Sequence, residues 1–171
     1  MKKPLLILIV IFLSNFIYSQ TKVDIEFVDE TNVLLNKIKI DKTTSFSIIK
    51  KILGEPIIYK EYPSGKINYH YKELGLSVHT VDDKLLFIGV NYNWDGDKTF
   101  PESTYVGQLK IDGVKFDKNT NEEIISKIKN LEFLTIMPGF LMSKPLTKKK
   151  NTFAILGFKD SIVTQVGFEF H

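Results

Sequence analysis

Oxygen-bearing side chains recur between residues 91 and 102 at a spacing that suits a hard cation. Asn91, Asn93, Asp95, Gly96 and Glu102 fall on positions 1, 3, 5, 6 and 12 of an EF-hand-type calcium loop. In such a loop alternate oxygens wrap the ion, Gly permits a sharp turn, and the last Glu binds through both oxygens. The match has departures. Asn91 brings no charge to the first position, and Lys98 stands where an apolar residue is usual. A strand pattern, not a helix, leads into the segment, and Pro101 precedes Glu102. The competing reading is a polar linker made of turn residues, since short motifs of this kind arise freely by chance. Calcium, through Asn91, Asn93, Asp95 and Glu102, is the one cofactor candidate; no other cofactor is expected.

His70 and His79 are the next candidates. A hairpin that pairs Ile67, Tyr69 and Tyr71 with Thr80, Val78 and Leu76 puts apolar residues opposite one another. The same register sets His70 and His79 diagonally on the other face, with Asn68 and Ser77. Zinc needs a third protein ligand for catalysis and a fourth for a structural site. No Asp or Glu at fixed spacing completes the set, so the expectation is two imidazoles on a solvated sheet face. The chain has no cysteine and no Gly-x-Ser-x-Gly nucleophile turn. Residues 107–113 lack a phosphate-loop pattern, and no carboxylate pair stands out as an acid–base couple. No catalytic residue is assigned and a non-enzyme is expected, with an enzyme of unrecognised class as the alternative.

Interface chemistry is better represented. Tyr92 and Trp94 alternate onto one face beyond a strand pattern. Phe140, Leu141 and Met142 follow Pro138-Gly139, either as an exposed apolar tip or as a lid folded on the core. Aromatic residues and Met are enriched where proteins meet. Lys148 opens a run of three lysines, either a solvated strand end or an attraction for an acidic partner. Tyr92, Trp94, Phe140, Leu141, Met142 and Lys148 are therefore the candidate interface, for a protein partner the sequence does not identify.

The elements that must carry these residues occur twice. Ile38-Lys39-Ile40-Asp41-Lys42-Thr43-Thr44 is matched by Val114-Lys115-Phe116-Asp117-Lys118-Asn119-Thr120 at an offset of 76 residues. The offset persists from Ile48-Ile49-Lys50-Lys51-Ile52 to Ile124-Ile125-Ser126-Lys127-Ile128. A fixed offset is the mark of a duplicated unit. Thr44 and Thr120 fit helix N-caps, the second with Glu123 as in a capping box. Ile48, Ile49, Ile52 and Leu53, and then Ile124, Ile125 and Ile128, make apolar stripes at helical spacing. Gly54 and Pro56 end the first helix. Alternating runs follow in each copy. The expected architecture is α+β, two tandem repeats, each one helix packed on an antiparallel sheet. Its parts are a signal peptide over 1–19, a first repeat over 20–94, a linker over 95–107 and a second repeat over 108–171.

Lys2 and Lys3 precede an apolar run from Leu5 to Leu13, and small residues Ser14 and Ser19 follow. That is the pattern of a secretory signal peptide, with cleavage placed after Ser19. The run is short for a membrane span, which needs about 20 apolar residues; an uncleaved anchor is the alternative. Periplasmic or secreted localisation is expected, without stable membrane insertion after cleavage. All 23 basic residues are Lys, set against 20 Asp and Glu. Without Arg and close to neutral, the chain lacks the footprint of nucleic-acid binding.

The duplicated helix-plus-sheet unit resembles the secreted beta-lactamase inhibitory proteins, and each half resembles small outer-membrane assembly lipoproteins of the SmpA/OmlA type. The Lys-, Ile- and Asn-rich composition and the segment Tyr18-Ser19-Gln20 resemble exported proteins of the Bacteroidota. These resemblances imply an exported protein-interaction module of inhibitor or immunity type. A calcium- or small-ligand-binding envelope protein is the alternative.

Overall fold

Four hairpins turn on residue pairs that both hold positive φ: Asn36-Lys37, Asp82-Asp83, Asp112-Gly113 and Asp160-Ser161. That geometry matches the right-handed twist of the flanking strands, and Asn, Asp and Gly adopt it at least cost. The computed structural model describes residues 22–145 and 152–171. The signal-peptide segment and Lys148 lie outside the described residues.

Strands β1 (Asp24–Asp29), β2 (Asn32–Leu35) and β3 (Ile38–Ile40) form a meander. Helix α1 (Phe46–Leu53) leads to β4 (Ile57–Glu61), β5 (Lys66–Tyr71), β6 (Leu76–Val81) and β7 (Lys84–Asn91). The second half holds β8 (Gln108–Ile111), β9 (Val114–Phe116), β10 (Phe133–Met137), β11 (Phe140–Ser143), β12 (Thr152–Lys159) and β13 (Ile162–Phe170). They assemble into a five-stranded sheet, β3-β2-β1-β8-β9, and an eight-stranded sheet, β10-β11-β12-β13-β7-β6-β5-β4. Both sheets run across the two halves: β1 pairs with β8 in parallel, and β7 pairs with β13 antiparallel. One buried cluster lies between them, with Phe27 stacked on Phe168 at 5.4 Å. No helix among the described residues is long and apolar enough to cross a membrane.

The architecture corrects the expectation of one helix per repeat. The chain is mostly β, with α1 the single α-helix among the described residues. The second apolar stripe instead forms a 3-10 segment, Glu122–Lys127. Hydrogen bonds within the segment and to Asp112, 17 and 18 residues earlier, shape it. Ile124 and Ile128 donate to the carbonyls of Asn121 and Ile125, three residues back. Ser126 Oγ donates to the Glu123 carbonyl at 2.7 Å, tightening the same turn. The Asp112 carboxylate then accepts from the backbone N–H groups of Lys129 and Asn130 and from the Asn130 side chain, drawing the chain away from a helical path.

Around this difference the backbone bonding recurs. Phe46 donates to the Asp83 carbonyl and Glu122 to that of Ser161; Leu85 donates to Thr44 and Val163 to Thr120. Thr44 and Thr120 do not cap helices. Their hydroxyls accept from the N–H groups of Asp41 and Asp117, at 2.9 and 2.8 Å, and so close the preceding turns. The N-cap of α1 is Ser45.

The buried stripe of α1 is Phe46 and Ile49, with Ile52 and Leu53 partly covered and Ile48 exposed. Phe46 stacks on Tyr69 at 4.0 Å and fixes which face of this two-turn helix points inward. Ile49→Ala is expected to cost about 2–5 kcal/mol. Ile48→Ala should change stability by no more than about 0.5 kcal/mol. Urea unfolding of the two variants checks the assignment; equal losses would contradict it.

Candidate functional site

Alternation along β5 and β6 turns Asn68, His70, Ser77 and His79 to the outer face of the eight-stranded sheet. The pairs are Asn68 with His79 and His70 with Ser77, the register expected from the apolar pattern. The face is not solvated as expected: all four side chains are buried. Their cover is the segment after β7, residues 92–104, which folds back as a compact loop with adjacent ends. Tyr105 N–H donates to the Asn91 carbonyl at 2.6 Å, and Thr104 Oγ1 donates to the Tyr92 carbonyl at 3.1 Å. The Asn91 amide donates to the carbonyls of Glu102 and Ser103 at 3.2 and 3.0 Å.

One atom latches this loop to the sheet. The Thr99 carbonyl accepts from Asn68 Nδ2 at 3.1 Å, His70 Nε2 at 3.1 Å and Ser77 Oγ at 2.8 Å. This arrangement requires the His70 proton on Nε2. Ser77 Oγ also lies 2.9 Å from Asn68 Oδ1, so its single proton serves two acceptors. Asp97 Oδ1 accepts from both the N–H and the hydroxyl of Thr99, each at 2.8 Å, and sets the turn that aims the carbonyl inward. Burial lowers the His70 pKa, and the bond to Thr99 opposes that shift. Burial pushes the His79 pKa down to about 3, with Lys66 and His70 adding repulsion.

Two hollows flank the latch. On one side Phe87 lies flat over Gly89 and Gly167, which pair across β7 and β13; a Cβ on either would overlap its ring. His79 stacks on Phe87 at 4.7 Å and Phe100 meets it edge-on at 5.9 Å. These rings, with Phe140, Gln165 and Glu169, border a cavity of about 270 Å³. On the other side a cleft of about 490 Å³ opens between β4 and the loop, lined by Tyr59, His70, Lys72, Trp94, Lys98 and Glu102 among others. Tyr59 stacks parallel to His70, 4.3 Å between centroids and 4° between planes. The Tyr59 and Trp94 side chains stay 42% and 43% exposed, although both border a concave surface.

β4 is also an edge of the eight-stranded sheet. Ile57 and Ile58 are 55% and 54% exposed beside Tyr59. At the opposite edge, Leu134, Ile136 and Met137 of β10 are exposed as well.

The residues singled out in the sequence scatter around this site. Trp94 is exposed as expected and borders the cleft. Tyr92 is instead buried; its hydroxyl donates to the Phe116 carbonyl at 3.0 Å and its ring meets Tyr105 edge-on. β7 ends at Asn91, so strand alternation no longer relates Tyr92 to Trp94. Phe140, Leu141 and Met142 form β11 rather than a loop tip; Leu141 is buried and the other two are half-buried. Side chains of the calcium-type pattern take part in hydrogen bonds within the protein. Asn91 donates within the loop, and Asn93 Nδ2 donates to the carbonyls of Lys118 and Val163, both at 2.7 Å. Asp95 Oδ1 accepts from Asp97 N–H and from Gln165 Nε2. Among the described residues no group of three His, Asp or Glu side chains is placed to hold a metal.

Sequence reasoning missed Tyr59, Ile57, Ile58, Lys72, Phe87 and Phe100. A signal existed for the first three, since consecutive apolar residues break the alternation of a half-buried strand.

No curated protein sequence matches the chain. Two solved structures share part of its shape. One is an extracellular protein containing an SCP domain from Bacillus anthracis, with TM-score 0.44, 12% identity, and coverage of 75% of this chain and 43% of that one. The other is a cysteine-rich secretory protein from Staphylococcus aureus, with TM-score 0.43, 12% identity, and coverage of 75% and 44%. The chain thus spans less than half the length of either. The family described as a domain of unknown function (DUF7738) matches residues 24–126, more than half of the chain, and the chain belongs to that family.

Proposed function

We propose that the chain is an exported binding protein that captures an extended segment of another protein along the β4 edge. The observation that carries this reading is the run Ile57-Ile58-Tyr59, apolar on successive residues, exposed, and on a strand that among the described residues is paired on one side only. An edge strand offers unpaired backbone donors and acceptors, and soluble proteins ordinarily guard such edges with charge or proline. Here Pro56 precedes β4, the register shifts at Tyr59, and Lys60-Glu61 end the strand. The stretch open to strand addition is therefore the short apolar run Ile57-Ile58-Tyr59, where main-chain bonds supply affinity and alternate side chains select the partner. The apolar run behind Lys2 and Lys3 supports export.

The test is selection from a displayed peptide library on the immobilised protein. Extended apolar peptides are expected to be enriched. The double variant Ile57→Lys, Ile58→Lys should lose their capture at least tenfold, about 1.4 kcal/mol, with an unchanged melting temperature. Capture that survives the two lysines would refute the reading. So would wild-type protein that sediments as a dimer and reverts to monomer on the same substitutions, since the edge would then pair with itself.

A further inference from the structure

We propose that the cleft between β4 and the 92–104 loop is a carbohydrate site, taking a neutral oligosaccharide against Trp94 and Tyr59. The first ground is the state of the two rings. Large aromatic side chains contribute most when buried, yet these two border a concave surface and keep two-fifths of their area in water. A pyranose has one face of C–H groups that packs on such a ring, and hydroxyls around its rim.

The second ground is the polar lining. Lys72 and Lys98 stand with Glu73 and Glu102, two positive and two negative side chains, beside the Ser103 hydroxyl and His70. A site for a phosphate or carboxylate would carry an excess of positive charge. Hydroxyl groups donate and accept alike, so a balanced set of charged donors and acceptors fits a neutral polyol. The third ground is size and rigidity. The volume of about 490 Å³ lies within the roughly 300–1,000 Å³ of small-molecule sites. Tyr59 is backed by His70, which the Thr99 carbonyl holds in place. Ser103 Oγ donates to the Lys72 carbonyl and ties the loop to the opposite rim. The Tyr59 half of the sugar-stacking platform is therefore set before a ligand arrives.

The single tryptophan of the chain is Trp94, so indole fluorescence reports on this cleft alone. The experiment titrates the purified protein with neutral oligosaccharides of hexose, N-acetylhexosamine and pentose units, and confirms hits by calorimetry. At least one class is expected to give a saturable change in emission. Trp94→Ala should weaken that ligand at least tenfold by calorimetry without shifting the melting temperature, whereas Trp94→Phe, which keeps a ring, should stay within about threefold. The Ile57→Lys, Ile58→Lys variant should bind the sugar normally, which separates this site from strand capture. The proposal fails if no oligosaccharide class binds. It also fails if binding leaves the emission unchanged, if Trp94→Ala binds as well as wild type, or if free amino acids bind the cleft in place of sugars.

Discussion

Acidification from pH 7 towards pH 3 is expected to remove several kcal/mol of stability through His79 alone. The imidazole is buried between Ser77 and the Phe87 ring, with Nε2 3.4 Å from Ser77 Oγ. Burial is the main cause of its low pKa of about 3, and Lys66 and His70 oppose the cation further. Glu169 and Asp97 border the same cavity. The folded state thus holds His79 neutral well below the pH at which the unfolded chain, near its ordinary 6.5, takes up a proton. Above about pH 6.5 neither state is protonated and the full stability is present. Below it the unfolded state gains a proton that the folded state refuses, and stability falls until about pH 3. One pKa unit is worth about 1.4 kcal/mol, so the full loss is on the order of 4–5 kcal/mol. Asp41 and Asp112, whose carboxyls are held below their usual range by hydrogen bonds, also lose stability in acid. The difference between wild type and His79→Gln isolates the histidine. Urea unfolding at intervals between pH 7 and pH 4 should show a flatter profile for the variant. Parallel profiles, or an NMR titration of the His79 ring centred above pH 5, would contradict the buried neutral imidazole.

The parts of this site that could be read from sequence are those decided by neighbours. The β5–β6 register follows from a period of two: Ile67, Tyr69 and Tyr71 face Thr80, Val78 and Leu76 because that pairing covers apolar surface. It placed His70, His79, Asn68 and Ser77 together correctly. What covers them was not legible, because the Thr99 carbonyl arrives from 22 to 31 residues further along the chain. Polar residues on a sheet face read as solvated unless a distant segment supplies their partners.

The second helix fails for the same reason. Ile124, Ile125 and Ile128 keep the spacing of their counterparts, but Asp112, 17 and 18 residues away, claims the N–H groups just beyond. The calcium-type pattern also has a structural role. Gly and Asx residues serve turns as readily as ions, and here they build the loop that brings Glu102 back to Asn91. Trp94 and Tyr92 differ in fate because one borders the cleft and the other turns into the core, its hydroxyl on the Phe116 carbonyl.

Replacing Phe168 by Ala is expected to cost about 3–5 kcal/mol and to lower the stability of the whole molecule, not of its second half alone. Phe168 is wholly buried in β13 at the centre of the eight-stranded sheet, and it stacks on Phe27 of β1 across the core. The two rings come from opposite ends of the chain, so the aromatic contact joins sheet to sheet and first half to second. The backbone makes the same join twice, in the parallel ladder from Asp24 to Phe27 against Gln108 to Ile111 and in the pairing of β7 with β13. Removing the ring leaves a cavity that strands fixed on both sides cannot collapse to fill. Neither half holds a complete sheet by itself, so unfolding one half exposes the core of the other. Calorimetry of wild type should therefore give one transition, and Phe168→Ala should move that single transition downward without splitting it. Two resolved transitions in the variant, with the upper one unmoved, would show that the halves unfold independently.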